Sequence, residues 1–152
     1  MSVIFDIEPD LSNLVQILDR YERALDSFES DLKLKGKQIG TANSENPSLL
    51  AYYDERKAEL KSIMLFVDMH VDKVKGELWQ KYTEVHSREL GPRDKEMYVK
   101  KDPEYLKRYQ LFLCVQELYM RYTAAVDAFV NRGFSLRNIT NLRVAQVETG
   151  II

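Results

Sequence analysis

The sequence predicts an all-α fold, an elongated helical hairpin or coiled-coil bundle with a long C-terminal helix and a short final helix. Three long stretches carry apolar residues at alternating steps of three and four, the period of a helix. The six glycines and four prolines are few and cluster at a few points, which favours long elements. Two regions are expected: an N-terminal heptad helix over residues 1–45 and a helical core over residues 46–152.

The first predicted helix runs from Leu11 to Lys37, with Asp10 as its N-cap. Gly36 and the polar run 41–46 then end it. Its apolar positions repeat every seven residues, as in a coiled coil: Leu11, Leu14, Leu18, Tyr21, Leu25, Phe28 and Leu32.

The second predicted helix begins at Asn46-Pro47, with Asn as N-cap and Pro at the first helical position, and reaches Glu84. Gly76 should bend this helix or lower its stability, by about 1 kcal/mol relative to Ala. Such a helix is on the order of 55 Å long, whereas a compact chain of this length has a radius of gyration of only ~15 Å. Part of its apolar seam should therefore meet a second copy of the chain, which predicts a homo-oligomer.

A turn is predicted at Gly91-Pro92, and residues 97–99 are compatible with a short extended piece. Asp102-Pro103 opens a third helix that ends at Arg132.

Gly133 should close this helix in the left-handed conformation, with Phe134 packed back on Phe129. Ser135 then caps a short final helix over residues 136–147. The joint between the two helices is expected to serve assembly. Its candidate assembly residues are Phe129, Gly133, Phe134, Leu136 and Ile139.

Charge is unevenly spread along the chain. Residues 1–80 hold 10 Lys+Arg against 15 Asp+Glu, a net charge of −5, and residues 81–152 hold 12 against 9, a net charge of +3. Residues 128–147 contain three arginines and no acidic residue. This run is either a solvated face or a patch for phosphates or an acidic partner.

The sequence offers no support for an enzyme. Cys114 is the one cysteine, which excludes an intrachain disulfide and fits a reducing cytoplasm. The two histidines, His70 and His86, lie in no triad or metal-ligand pattern, and no phosphate loop is present. No apolar run approaches the ~20 residues of a membrane span, and the N-terminus is not a signal peptide. We therefore expect a cytoplasmic protein without metal or cofactor.

Several stretches of the C-terminal half match one known family. They begin at Glu96-Met97, continue through Asp102, run over residues 126–139 with the motif Arg132-Gly133-Phe134, and end at Leu142-Arg143. In this pattern an aliphatic helix ends in Arg-Gly-Phe and a short basic helix follows near the chain end. The chain thus resembles the UvsY family of recombination mediators of T4-type phages.

The resemblance implies a non-enzymatic protein that forms ring-like homo-oligomers of about six or seven subunits. Such proteins bind single-stranded DNA and help a RecA-like recombinase to displace a single-strand-binding protein. Lys75 falls on one of the two basic positions of the family's DNA-binding segment, whereas Glu77 is acidic at the other. Lys73 and Lys81 could compensate for it. The candidate DNA-binding residues are Lys73, Lys75, Lys81, Arg88, Arg93, Arg132, Arg137 and Arg143.

Two alternatives stay open on the sequence. Tyr82 and Tyr98 lie close to basic residues and could stack on bases, or they could simply pack between helices. The heptads and the acidic N-terminal half also suit a coiled-coil assembly or adaptor protein whose ligands are all proteins.

Overall fold

The computed structural model describes residues 2–85 and 90–145, and every regular element in these ranges is helical. The predicted all-α class is therefore confirmed. The elements are a 3-10 turn at Val3–Asp6, α1 (Leu14–Ala24), a second 3-10 turn at Leu25–Ser27, α2 (Phe28–Leu32), α3 (Ile39–Val85), α4 (Pro92–Lys101) and α5 (Pro103–Val144).

The two longest helices, α3 and α5, form an antiparallel hairpin. Asn43 near the start of α3 donates its side-chain amide to Thr140 Oγ1 near the end of α5, at 3.2 Å. At the other end the Tyr82 hydroxyl donates to Asp102 Oδ2 at 2.7 Å. With 47 and 42 residues, the helices are roughly 70 and 63 Å long. The elongated shape expected from the sequence is confirmed.

The apolar seam between α3 and α5 is closed within one chain. On α3 the buried seam residues are Tyr53, Leu60, Ile63, Val67, Val71 and Leu78. On α5 they are Val115, Leu118, Tyr122, Ala125, Val126, Phe129 and Leu136. Because α5 runs along nearly the whole of α3, the α3 seam is covered within one chain, and its length alone does not require a second copy. The homo-oligomer itself stays a prediction.

The N-terminal segment is not the single helix that the heptads predict. Leu11 has a φ of 61° and a buried side chain, and α1 begins only at Leu14. Asn13 stabilises the turn before α1. Its Oδ1 accepts from Glu8 N at 2.8 Å, and its Nδ2 donates to the Asp6 carbonyl at 2.7 Å. Asp10 therefore precedes a turn, not the helix.

A 3-10 turn at Leu25–Ser27 separates α1 from α2. Beyond this turn the Phe28 ring lies edge-on to the rings of Tyr53 and Phe129, at centroid distances of 5.8 and 5.9 Å. The heptad residues all face the chain's own core. The period thus predicted the buried face correctly, but the continuous coiled coil was wrong because the segment bends to follow the hairpin.

Two predicted helix ends are absent. α3 begins at Ile39 and passes through Pro47. α5 passes through Gly133 to Val144 with no left-handed glycine there, so the predicted joint and the separate final helix were wrong. Phe134 is 53% exposed on the outside of α5, whereas Phe129 is fully buried, and their predicted capping contact was wrong too.

These two absent breaks lie opposite each other. A Cβ atom added to Gly133 would lie 3.1 Å from Asn46 Nδ2. The Asn46 side chain, expected as a cap, donates instead to the Phe129 carbonyl at 3.4 Å and accepts from Arg132 at 3.0 Å. The first turns of α3 and the last turns of α5 therefore extend the hairpin together.

The helix start at Asp102-Pro103 is confirmed. Asp102 Oδ1 accepts the backbone N–H of Glu104 at 2.9 Å, and Pro103 occupies the first turn. At Gly91-Pro92, α4 likewise begins with a proline in its first turn, but without a side-chain cap. Residues 97–99 lie inside α4, so an extended piece there was wrong.

Candidate nucleic-acid interface

The last turns of α3 carry three of the candidate lysines. Lys73 and Lys81 are exposed, whereas Lys75 is half-buried. Lys73 Nζ lies 4.0 Å from Glu77 Oε1, an exposed pair that contributes little to stability. The Lys81 ammonium lies over the Tyr82 ring, 5.6 Å from its centroid. Residues two apart on a helix lie on different faces, so Lys73 and Lys75 do not point the same way, but none of the three lysines is fully buried.

The α4 helix brings further cations to the same end of the hairpin. Arg93 is exposed in its first turn, and Lys95 reaches across to α3, where its ammonium lies 5.7 Å from the centroid of the Trp79 ring. Lys100 Nζ is 3.0 Å from Glu96 Oε1. Their hydrogen bond raises the pKa of Lys100 and lowers that of Glu96, so both stay charged at neutral pH. Arg88 lies outside the described residues.

Two tyrosines join α3 to α4 and α5. The rings of Tyr82 and Tyr98 stack at a centroid distance of 5.5 Å and an interplanar angle of 27°. The hydroxyl of Tyr82 donates to Asp102, and this bond is the largest cause of the lowered pKa of Asp102 and the raised pKa of Tyr82. Tyr82 therefore packs between helices, while Tyr98 is 38% exposed on α4.

Residues 73–82 together with residues 92–101 form a surface that we call the basic end. It holds seven Lys+Arg against three Asp+Glu, a net charge of +4 in a chain of net charge −2. A local field of this sign attracts phosphates. Trp79 was not among the predicted contact residues, although a tryptophan between Lys75 and Lys81 is a signal that the sequence contains.

The three candidate arginines of α5 do not join the basic end. Arg137 is exposed, with its guanidinium carbon 5.6 Å from the centroid of the Phe134 ring, and Arg143 is exposed near the helix end. They lie roughly 50 and 60 Å along α5 from its start beside α4. In one chain the candidate cations therefore form two separate groups.

Arg132 is 4% exposed and lies inside the hairpin. Its Nε donates to the Leu32 carbonyl at 3.2 Å, and one terminal nitrogen donates to Asn46 Oδ1 at 3.0 Å. The other terminal nitrogen lies 4.0 Å from Glu45 and has no hydrogen-bond partner among the described residues. As the structure stands, Arg132 ties α2 and α3 to α5 and presents no surface to a strand.

The candidate assembly residues also divide. Phe129 and Leu136 are buried in the chain's own core, and Gly133 and Ile139 are half-buried. Phe134 belongs instead to an exposed apolar stripe along the outer face of α5, the α5 stripe. Its members are Leu106, Leu113, Met120, Val130 and Phe134, each between 39% and 64% exposed.

The described ranges also bear on metal binding and on membrane insertion. Their His, Cys, Asp and Glu residues form no group of three or more that could hold a metal ion. His70 packs edge-on to Phe66 at 4.8 Å, and burial lowers its pKa. Within residues 2–85 and 90–145, none of the helices is both long and apolar enough to cross a membrane.

The fold matches solved structures of the recombination mediator protein UvsY of bacteriophage T4. One crystal form superposes with a TM-score of 0.72 over 83% of this chain and 98% of that chain, and another with a TM-score of 0.73 over 83% and 96%. Both are 16% identical to this chain in sequence. No protein-family model matches the sequence, nor does a curated protein sequence. The chain therefore shares a fold with UvsY at low sequence identity.

Proposed function

We propose that this chain, with the fold of the T4 mediator UvsY, is itself a recombination mediator. In this role it binds single-stranded DNA and promotes the loading of a RecA-like recombinase in place of a single-strand-binding protein. The observation that carries the proposal is the superposition over 98% of a UvsY chain. The basic end adds an independent argument, because it offers a net charge of +4 to a phosphate backbone.

Binding in this proposal is mainly electrostatic. Lysines and arginines neutralise phosphates and release condensed counterions, so the logarithm of the binding constant falls by about 0.7 per phosphate contact for each tenfold rise in salt. Lys73, Lys75, Lys81 and Arg93 are the contacts that we assign to the basic end. Arg137 and Arg143 form a second basic group at the far end of α5, and in this structure Arg132 serves the fold.

The proposal includes a ring-like homo-oligomer of about six or seven subunits. Copies of the basic end around a ring would multiply weak contacts along one strand. The α5 stripe supports self-association, since large apolar side chains aligned on one helix face mark interaction sites. The role proposed is non-enzymatic, needs no cofactor, and belongs in the cytoplasm of a host cell if the source is a phage.

Charge reversal at Lys73, Lys75 and Lys81 tests the DNA-binding part. The triple variant to Glu should lose salt-sensitive binding to a fluorescent thymidine oligonucleotide, measured by anisotropy at low salt. A matched control reverses Lys33, Lys35 and Lys61, three exposed lysines outside the basic end that change net charge equally. Equal loss in both triple variants would show only a net-charge effect. If the wild-type chain does not retain the oligonucleotide, the mediator proposal fails.

A second assay tests mediation itself. Wild-type protein should shorten the lag before a RecA-like recombinase hydrolyses ATP on a strand coated with single-strand-binding protein. The triple variant at Lys73, Lys75 and Lys81 should leave this lag unchanged. A wild-type protein that binds the strand without shortening the lag would contradict the mediator role.

The alternative is an assembly or adaptor protein with only protein ligands. The α5 stripe and the net charge of −5 over residues 1–80 favour it. Under this alternative the triple variant still binds all of its protein partners, and the mass of its assembly in solution equals that of the wild-type assembly. No oligonucleotide then changes that mass at any salt concentration.

A further inference from the structure

Trp79 is a large apolar side chain that the core does not bury. It lies in the last turns of α3 and is 41% exposed, whereas its neighbour Leu78 is buried. It is also the only tryptophan of the chain. An indole left half in water at the basic end is therefore a candidate contact for a negatively charged ligand.

The setting of Trp79 is ordered by its neighbours. The ammonium of Lys95 lies over the indole, 5.7 Å from its centroid, so a cation covers one side of the ring. One helical turn further on, Tyr82 is fixed by its bond to Asp102 and stacks on Tyr98 of α4. On α4, Met97 and Tyr98 are 48% and 38% exposed. Trp79 thus lies where side-chain contacts fix α4 against α3.

We propose that Trp79 is a stacking platform for a base of single-stranded DNA, with the Lys95 ammonium placed for the adjoining phosphate. Tyr82 is then a positioning residue, because it holds α4 and therefore Lys95 against α3. This inference rests on the proposed DNA binding and assigns a contact residue within it. Aromatic rings accept any base, since every base has a flat π-face, and this suits a mediator that must act on all sequences.

Charge and exposure favour a strand over a second copy of the chain at this surface. The basic end carries a net charge of +4, so two such ends would repel each other. The α5 stripe offers an exposed apolar surface for self-association elsewhere. Duplex DNA is a poorer ligand for the Trp79 ring, because its paired bases are stacked on each other and do not present their faces.

The fluorescence of the single tryptophan reports directly on this contact. Titration of the full chain with a thymidine oligonucleotide at low salt should quench the Trp79 emission, with the same midpoint as the anisotropy of a labelled strand. Raising the concentration of protein alone should leave the emission maximum in place. A blue shift on self-association without DNA would assign the indole to an interface between copies and overturn the proposal.

Three substitutions separate stacking from charge. Trp79→Ala should weaken binding of the labelled strand about tenfold or more, equivalent to about 1.4 kcal/mol, without changing the salt slope. Trp79→Phe keeps an aromatic face and should lose less. Lys95→Ala should reduce the salt slope by about 0.7. Met69→Ala, an exposed truncation on the same helix, is the control and should bind as wild type.

The outcomes distinguish this inference from the function on which it rests. Far-ultraviolet circular dichroism of each variant establishes that the helices are intact. If Trp79→Ala binds as tightly as wild type while the charge reversal at Lys73, Lys75 and Lys81 abolishes binding, the platform is wrong and the mediator proposal stands. If wild-type protein retains no strand at low salt, both fail.

Discussion

At the scale of single residues, Asp102 shows one side chain with two tasks. Its Oδ1 caps α5 at Glu104 N, and its Oδ2 accepts the Tyr82 hydroxyl from α3. The cap could be read from Asp-Pro in the sequence, because capping depends on neighbours in the chain. The bond to Tyr82 could not, since the two residues are separated by 20 positions.

Replacing Asp102 by Ala should lower the free energy of unfolding by about 2 kcal/mol, about 1 from the cap and about 1 from the hydrogen bond. The measurement is urea denaturation at neutral pH. Asp127→Ala, on the exposed face of α5, is the control and should change stability by less than about 0.5 kcal/mol.

The same side chain predicts a pH dependence. Its pKa is lowered from 3.8 in the folded chain, chiefly by the hydrogen bond from Tyr82. A lowered carboxyl pKa stabilises the fold above the unfolded pKa, and this contribution is lost as pH falls through the folded value. The stability gap between wild type and Asp102→Asn should therefore narrow below pH 3.8. A gap that widens in acid would contradict this assignment.

Arg132 is the second residue whose role depends on distant partners. From the sequence it belongs to a basic run and was a candidate for phosphates. In the fold its guanidinium donates to Leu32 of α2 and to Asn46 of α3. A buried charged donor that serves two acceptors is costly to remove, because both acceptors are then left unpaired.

Arg132→Ala should lower the free energy of unfolding by about 3 kcal/mol, whereas Arg137→Ala should change it by less than about 0.5 kcal/mol. The two arginines lie on the same helix, and only Arg137 is exposed. Thermal and urea denaturation of the pair measures the difference. Equal effects would mean that the buried guanidinium contributes nothing to the fold.

At the scale of the elements, packing overrides two local signals for a helix boundary. Asn46-Pro47 indicates a helix start and Gly133 a helix end, yet α3 and α5 run through them. Pro47 cannot donate to the carbonyl of Asn43, a loss that ordinarily disfavours a helix interior. The turns beyond both signals bury Ala42 and Leu136, and Asn43 bonds Thr140. The extended helices are thus stabilised by contacts between α3 and α5, which neither local sequence signal predicts.

Two glycines of the long helices should respond differently to alanine. At Gly76 an added Cβ meets nothing within 4 Å, so Gly76→Ala should raise the free energy of unfolding by about 1 kcal/mol. At Gly133 the same atom would lie 3.1 Å from Asn46 Nδ2. Gly133→Ala should therefore stabilise less than Gly76→Ala or destabilise the chain. Urea denaturation measures both, and equal gains would show that Asn46 yields freely.

At the scale of the whole molecule, the hairpin separates three surfaces. The seam between α3 and α5 is closed in one chain, the basic end lies where α3 meets α4, and the α5 stripe runs along the outside. Length alone suggested that a second copy must cover the seam. In the structure the α5 stripe is the candidate surface for contact between copies, since large apolar side chains remain exposed there.

Leu113 and Met120 are two central members of the α5 stripe, 43% and 64% exposed. If copies of the chain associate through it, their joint replacement by Gln should lower the mass of the assembly in sedimentation while helix content stays unchanged. The matched control replaces Leu65 and Met69, both 59% exposed on α3, by Gln. An assembly that survives the first pair and dissociates with the second would place the contact on α3.

The sequence by itself determined the helical class, the buried faces and the start of α5. These depend on a period of three to four residues and on capping by near neighbours, which local chemistry decides. The lengths of α3 and α5, the burial of Arg132 and the place of Trp79 beside Lys95 were decided only by the tertiary structure. Their free energies come from contacts between residues far apart in the chain, such as Asn46 with Arg132, and no local pattern encodes such pairs.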